Sequence, residues 1–311
     1  MKSNRATCKP TGLTAMRVAA LGLLLWGIAS RLAAEDTNSN FQAAKAAADL
    51  GDAKAQYELA ARYAKGAGVT QDYATAAVYL RKAAEQGYTE AQTALGSCYG
   101  RGRGVPQDLA LAVQWYRKAA EQGNALAQYA MGNFYAAGRG VTNDLAQAIR
   151  WWQKAASQEE ADAEAALGEL YLIPSAARGT NYLNYPEALR WLRRAAAHGS
   201  AAAMNDLGVA YDNGVGVKID FQQAARWFLA GAEQGDALSE ANIGQLFFDG
   251  RGVAYDPVQA YKWFKLSANQ GNVIGSHGLQ DCESSQLLTP KQLAEAEQQV
   301  RDFHPRQPPS P

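Results

Sequence analysis

Apolar residues recur along this chain at spacings of three and four positions, in two alternating blocks that together repeat every 36 residues. The first block places Gly or Ala directly after an apolar residue and an aromatic ring three positions later. The second block ends in two small residues, such as Ala83-Ala84 and Ala119-Ala120. These spacings are typical of one face of an α-helix, whereas a strand alternates every second residue. Each unit is therefore predicted to form two amphipathic helices.

Six units fill the same slots in the same way. The apolar slot of the first helix holds Leu59, Leu95, Met131, Leu167, Leu207 and Ile243. The units begin near residues 51, 87, 123, 159, 199 and 235, and all but one begin at a glycine. Glu159 takes the place of that glycine in the fourth unit, which also carries a four-residue insertion. One helix pair cannot bury its own apolar faces, so neighbouring pairs are expected to stack.

A Gly-x-Gly-Val-x-x-Asp turn, as in Gly102 to Asp108, separates the two helices of most units. Its glycines permit the positive φ that ends a helix, and its aspartate is placed to cap the next one. Aromatic rings at the centre of the second helix are predicted to fill the gaps between helices. They are Tyr79, Trp115, Trp151, Trp191, Trp227 and Trp263. The role of the rings directly after them stays open; these are Tyr116, Trp152, Phe228 and Phe264.

The repeat resembles the Sel-one-like repeat (SLR) family, a relative of the tetratricopeptide repeats. The best match is Ala91-Gln92-Thr93-Ala94-Leu95-Gly96-Ser97-Cys98-Tyr99 followed by the turn from Gly102 to Asp108, and the resemblance covers roughly residues 40–304. It implies an all-α fold, a right-handed superhelical α/α solenoid, and an adaptor or scaffold role in protein assemblies. We expect one solenoid over 35–304, with half-unit caps at 40–50 and 271–304 and a disordered tail at 305–311.

The first 34 residues have the three parts of a secretion signal: a basic stretch, the apolar run from Val18 to Ala29, and the small residues Ala33-Ala34. We expect a secreted or periplasmic protein that is cleaved after Ala34 or near Ala29. The run is shorter than the roughly 20 residues needed to span a bilayer, so no stable membrane span is expected after signal removal. An uncleaved anchor is the alternative.

The net charge and the reactive side chains argue against nucleic-acid binding and against catalysis. Beyond residue 34 the chain has a net charge of −5 and no basic block, which argues against a nucleic-acid partner. Its histidines, His198, His277 and His304, are scattered, and Cys98 and Cys282 occupy the same slot in distant units, too far apart for a disulfide. No nucleophile, metal or phosphate-loop motif is present. We predict a non-enzyme without metal or cofactor.

Partner recognition is expected from slots that differ between units, since the fixed slots are explained by packing. By analogy with tetratricopeptide arrays, offsets three, six, ten and thirteen from the first residue of each unit face a concave groove. The residues predicted there as contacts for a protein or peptide are Tyr57, Thr93, Tyr129, Asn133, Glu169, Asn205, Gln245 and Phe248. Tyr129 and Asn133 are the predicted central contact. The alternative is a solvated face, with partners bound elsewhere.

Other interpretations stay open. The loop at 174–186 replaces the turn of the fourth unit, either as a functional rim or as a neutral insertion. Penicillin binding or β-lactam hydrolysis is attributed to some cysteine-rich members of the resembling family, but this chain lacks their regular cysteine pairs and any Ser-x-x-Lys motif. Polysaccharide binding would require an exposed row of aromatic rings.

Overall fold

A computed structural model describes residues 38–173 and 182–306. Within these ranges it contains 15 α-helices and no strand, which confirms the predicted all-α repeat solenoid. The predicted signal at 1–34, most of the insertion (174–181) and the last residues of the predicted tail (307–311) lie outside the described residues. None of the described helices is both long and apolar enough to cross a membrane.

The chain divides into two compact units, residues 1–154 and 155–311. The described part of the first unit contains α1 (Asn38–Asp49), α2 (Ala53–Lys65), α3 (Tyr73–Glu85), α4 (Thr89–Arg101), α5 (Leu109–Glu121) and α6 (Ala125–Ala137). Consecutive helices pack against each other from α1 to α6. Helix α7 (Leu145–Ala156) contains the division between the units.

The described part of the second unit continues the same order. It contains α8 (Ala161–Leu172), α9 (Tyr185–Ala197), α10 (Ala201–Asn213), α11 (Phe221–Glu233), α12 (Ala237–Asp249), α13 (Pro257–Asn269), α14 (Val273–Ser284) and α15 (Pro290–Arg301). Consecutive helices pack from α8 to α14, and α15 packs back against α13.

The turn between paired helices forms as predicted. Gly102 ends α4 with a φ of 70°, and its N–H donates to the Cys98 carbonyl. Asp108 caps α5, because its Oδ1 accepts from the Leu111 N–H at 2.9 Å. The Asp108 N–H also donates to the Tyr99 carbonyl at 3.0 Å, which ties the cap to the preceding helix. The predicted capping role of the turn aspartate is confirmed.

The aromatic packing corrects one prediction. Tyr79, Trp115, Trp151 and Trp227 are half-buried, and the rings one position later, Tyr116, Trp152, Phe228 and Phe264, are the buried ones. These buried rings lie against the glycine of the preceding helix, as Tyr116 does on Gly96, where a Cβ would come within 3.0 Å of the ring. Lys118 and Lys154 lie over the faces of Trp115 and Trp151, with Nζ 4.2 and 4.4 Å from the ring centroids. The earlier slot is buried as predicted only at Trp191 and Trp263.

A buried ladder of amide side chains joins successive repeats of the first unit. The Nε2 atoms of Gln56, Gln92 and Gln128 donate to the carbonyls of Ala48, Ala84 and Ala120, each at 3.1 Å. Gln86 and Gln122 complete the ladder by donating to the Oε1 atoms of Gln56 and Gln92, both at 2.8 Å. Each of these carbonyls also accepts from the N–H of the glycine three positions later, so the glutamine supplies its second hydrogen bond.

The second unit places carboxylates in the same ladder slot. Glu164 is fully buried and pairs with the Arg194 guanidinium at 2.8 Å and with His198 Nδ1 at 2.7 Å. Arg194 also donates to the Ala156 carbonyl at 3.3 Å, and so replaces the missing amide. The carboxylate partner of His198 comes from the first helix of the same repeat.

Glu240 occupies this slot in the sixth repeat with fewer partners. Its Oε2 accepts from Gln270 Nε2 at 2.9 Å, whereas its Oε1 is buried without a hydrogen-bond partner. Burial, together with the nearby charge of Asp236, raises the pKa of Glu240 to about 7. The same slot therefore holds a paired carboxylate in one repeat and an under-satisfied one in another.

The C-terminal segment folds back onto the second unit. Thr289 and Gln292 form a capping box at the start of α15. Beyond it, the Arg306 N–H donates to the Glu233 carbonyl at 2.7 Å, and its guanidinium bonds the Glu233 carboxylate at 2.8 Å. Pro305 and Arg306, the first two residues of the predicted tail, are therefore part of the folded chain.

Candidate binding groove

The first unit has an open groove between α2, α3 and α4, enclosing about 810 Å³ including its mouth. Its deepest lining is apolar and includes Ala60, Ala76 and Leu80. Hydroxyl groups of Thr93 and Ser97 also line it. A mostly apolar cleft with a few polar groups is the usual character of a binding site.

The next interval along the array shows why this groove is open. There Phe134 replaces Cys98 and Tyr116 replaces Leu80, each 36 positions later. The two rings lie 5.6 Å apart and fill the space. Phe134 also lies against Gly100, whose counterpart in the open groove is Ala64. The groove therefore corresponds to the space that the rings of Phe134 and Tyr116 fill one repeat later.

The groove carries opposite charges at its two ends. Glu90 lies in the first turn of α4 and Arg101 in its last, about 16 Å apart along the helix. Arg103 follows in the turn, and its guanidinium lies over the Tyr73 ring, 5.5 Å from the centroid. Burial raises the pKa of the Cys98 thiol to about 11, although both arginines oppose the shift. Cys98 is therefore a lining group and not an activated nucleophile.

Two of the predicted contact residues, Tyr57 and Thr93, line this groove. Both are largely buried, and the Thr93 hydroxyl donates to the Thr89 carbonyl at 3.0 Å. The Tyr57 ring lies 5.4 Å from Tyr88, and burial raises the pKa of Tyr57 to about 12. They shape the wall of the groove and offer little free polar surface.

The predicted central pair lies elsewhere and is already engaged. Tyr129 is 3% exposed, and the Oδ1 of Asn133 accepts from the Trp152 indole at 3.1 Å. Offset six is in fact buried in all six repeats, at Tyr57, Thr93, Tyr129, Ala165, Asn205 and Ala241. The side chains at offset six therefore pack against neighbouring helices, and Tyr57 and Thr93 also line the open groove.

The predicted contacts in the second unit are likewise engaged with neighbouring groups. Asn205 Oδ1 accepts from Asn242 at 2.8 Å, and Gln245 Nε2 donates to Asp249 at 3.0 Å. The Phe248 ring packs edge-on against Phe264, and Glu169 is almost completely buried. Among the described residues, no group of three or more His, Cys, Asp or Glu side chains could hold a metal ion.

Sequence comparison identifies a known repeat in this chain. The Sel1 repeat matches residues 53–88, 89–124, 125–159, 161–200, 201–236 and 237–272, which together make up more than half of the chain. Each matched segment begins at the first residue of the first helix of a pair. A comparison with curated proteins gives no match.

Two solved structures are similar in sequence and fold. A Sel1 repeat protein from Oxalobacter formigenes is 32% identical, with a TM-score of 0.64 over 84% of this chain and 99% of that one. A protective antigen with an SLR fold, present in uropathogenic Escherichia coli strains, is 30% identical with a TM-score of 0.50. That match covers 86% of this chain but only 64% of the antigen.

Proposed function

Because this chain belongs to the Sel1 repeat family, we propose that it is a non-catalytic adaptor whose first-unit groove binds a segment of a partner protein. The observation that carries the proposal is the opening at Cys98 and Leu80, where the following repeat fills the same space with Phe134 and Tyr116. A repeat array that fills one interval and leaves the adjacent one open has a surface that can receive a side chain from outside.

The groove suits a polypeptide better than a small molecule. It runs beside the whole of α4, from Glu90 to Arg103, so a ligand must be long to reach both ends. An extended segment can place one apolar side chain in the deep part and charged groups at the ends. This arrangement gives a specific contact without needing a reactive residue.

The aromatic rings do not support the polysaccharide alternative. The half-buried rings of Trp115 and Trp151 each have one face covered by a lysine. Trp191 and Trp263 are buried. Sugar stacking needs an open ring face, and these four rings do not form an exposed row.

Export to the periplasm or the medium is part of the proposal. It rests on the basic stretch, apolar run and small residues of the first 34 positions. N-terminal sequencing of protein recovered from the culture medium and the periplasmic fraction tests it. A mature terminus near Ala29 or Ala34 supports export, whereas recovery of the full chain in the cytosol would contradict it.

The binding experiment fills the groove with phenylalanine, the residue that the chain has at the equivalent position one repeat later. Purified wild type and the Cys98→Phe variant are used to capture proteins from the native envelope fraction, with mass spectrometry as the readout. Cys98→Ser is the matched control, because it keeps the side chain small. We expect partner recovery to fall at least tenfold for Cys98→Phe and to stay within twofold for Cys98→Ser. Equal recovery by all three proteins would contradict the proposed site.

A further inference from the structure

Building on the proposed function, we infer that the groove recognises an extended protein segment in which an aromatic residue and an acidic residue are adjacent. The aromatic ring enters the space beside Cys98 and Leu80, and the carboxylate binds at the Arg103 end. Two independent observations carry this, one on shape and one on charge.

The shape argument comes from the chain itself. The tip of the Phe134 ring lies 3.7 Å from a Cβ built on Gly100, and the Ala112 Cβ lies at the same distance from that point. Ala64 and Ala76 stand in those two positions in the open groove, and Cys98 takes the place of Phe134. A Phe or Tyr side chain from a partner would thus meet the same small residues that receive Phe134. Close packing of an aromatic ring in such a site is a strong source of binding energy.

The charge argument concerns the end of the groove formed by the turn after α4. Arg103 is exposed, yet its guanidinium is held over the Tyr73 ring. A stacked guanidinium keeps its in-plane N–H groups available and loses little freedom when they bind a carboxylate. The guanidinium of Arg139, the counterpart of Arg103 one repeat later, lies 5.9 Å from the centroid of the Phe134 ring. An arginine in this turn can therefore reach the site that the aromatic side chain occupies.

The opposite end of the groove carries a negative charge. Glu90 lines the groove at the first turn of α4, close enough to raise the pKa of Tyr57 through its charge. A ligand carboxylate is repelled there and attracted at the arginine end. The aromatic residue and the acidic residue must therefore be adjacent in the ligand, because the aromatic place lies beside the arginine end.

The test uses defined peptides with the full-length purified protein. The probe is fluorescein-labelled Gly-Ser-Gly-Phe-Asp-Gly-Ser-Gly, and matched probes replace Phe with Ala, Asp with Asn, or Asp with Lys. Binding is measured by fluorescence anisotropy at low and high salt. We expect the Ala probe to bind at least tenfold more weakly, and the Asn and Lys probes at least threefold and tenfold more weakly. The Asp preference should shrink in 0.5 M salt, on the order of the loss expected from screening.

Two protein variants sharpen the result. Cys98→Phe should weaken the Phe-Asp probe at least tenfold, while circular dichroism shows unchanged helix content. Arg103→Glu, at an exposed site that does not threaten folding, should reverse the preference so that the Phe-Lys probe binds better than the Phe-Asp probe. Equal affinity for all four probes, or an unchanged preference in Arg103→Glu, would overturn the inference.

The outcomes separate this ligand from the proposed function. If envelope proteins are captured in a Cys98-dependent way but no probe binds, the ligand chemistry is wrong and the groove function stands. If N-acetyl-phenylalanine amide binds as tightly as the Phe-Asp probe, the extended segment is wrong. If capture does not depend on Cys98, both the proposed site and this inference are wrong.

Discussion

Replacing Glu240 with Gln should stabilise the protein at pH 8 and have almost no effect at pH 4.5. Glu240 is 1% exposed, and its Oε1 has no hydrogen-bond partner. In the same slot Gln56 donates to the Ala48 carbonyl and accepts from Gln86. A glutamine at 240 would have the equivalent partners, the Ala232 carbonyl and Gln270, and would carry no charge.

The magnitude follows from the pKa of Glu240. Raising this pKa from 4.5 to about 7 corresponds to roughly 3 kcal/mol in favour of the protonated form in the folded state. The folded state then binds more protons than the unfolded state between these two values, so the stability falls as pH rises from 4.5 to 7. Above pH 7 the full cost remains, and the neutral Gln avoids it. We expect an increase of roughly 1–3 kcal/mol at pH 8, allowing for local relaxation.

The assay is urea unfolding of wild type and Glu240→Gln at pH 4.5 and pH 8. Burial also raises the pKa of Glu160 to about 7, but that contribution is common to both proteins and cancels in the difference. Glu164→Gln is the matched control in the same slot. Because Glu164 pairs with Arg194 and His198, losing its charge should destabilise the protein at pH 8. The reasoning is refuted if both substitutions change stability in the same direction, or if the Glu240→Gln effect is equal at the two pH values.

Five further substitutions, two of them controls, test the packing. Glu159 has a φ of 64°, so Glu159→Gly should add roughly 0.5–1 kcal/mol to stability in thermal melts, and Gly87→Glu, at an open position, should remove a similar amount. Gly132→Ala should cost roughly 1–3 kcal/mol, since the new Cβ overlaps an indole, whereas Gly100→Ala should not destabilise. Phe134→Cys should cost roughly 2–4 kcal/mol in urea unfolding and open a second groove to the Phe-Asp probe.

Each of these substitutions has an outcome that would contradict the packing described above. A stability loss in Glu159→Gly would mean that the left-handed backbone there is not strained. Equal effects of alanine at the two helical glycines would mean that the ring against Gly132 is not in close contact. A Phe134→Cys variant that keeps wild-type stability would show that the two rings do not support the second interval.

The helices and turns could be predicted from the sequence because the same residue pattern recurs in each repeat. The turn glycines and the capping Asp108 follow local rules that need no knowledge of the neighbouring repeats. The sequence could not decide which ring of the pair Trp115 and Tyr116 is buried, because the two positions differ by about 100° around the helix and both are aromatic. That choice depends on which ring meets Gly96 of the preceding helix.

The candidate site was only partly predictable for a related reason. The predicted contacts Tyr57 and Thr93 do line the groove. The position of a residue within the repeat, however, does not tell whether its side chain lines a groove or is buried against a neighbouring helix. The groove itself results from small side chains where the next repeat has large ones. A comparison of Cys98 with Phe134 and of Leu80 with Tyr116 contains this signal, but it has meaning only once the packing partner of each slot is known.

The amide ladder also bears on how such an array can change during evolution. The links from Gln86 to Gln56 and from Gln122 to Gln92 are chemically identical, so duplication or loss of a 36-residue segment there leaves every donor with an acceptor. Glu164, Arg194 and His198 all lie in the fourth repeat, so a segment boundary between residues 164 and 198 would separate mutually dependent side chains. The ladder is therefore compatible with a change in copy number wherever the boundary falls among the early repeats, whereas around the fourth repeat the boundary must lie outside residues 164–198.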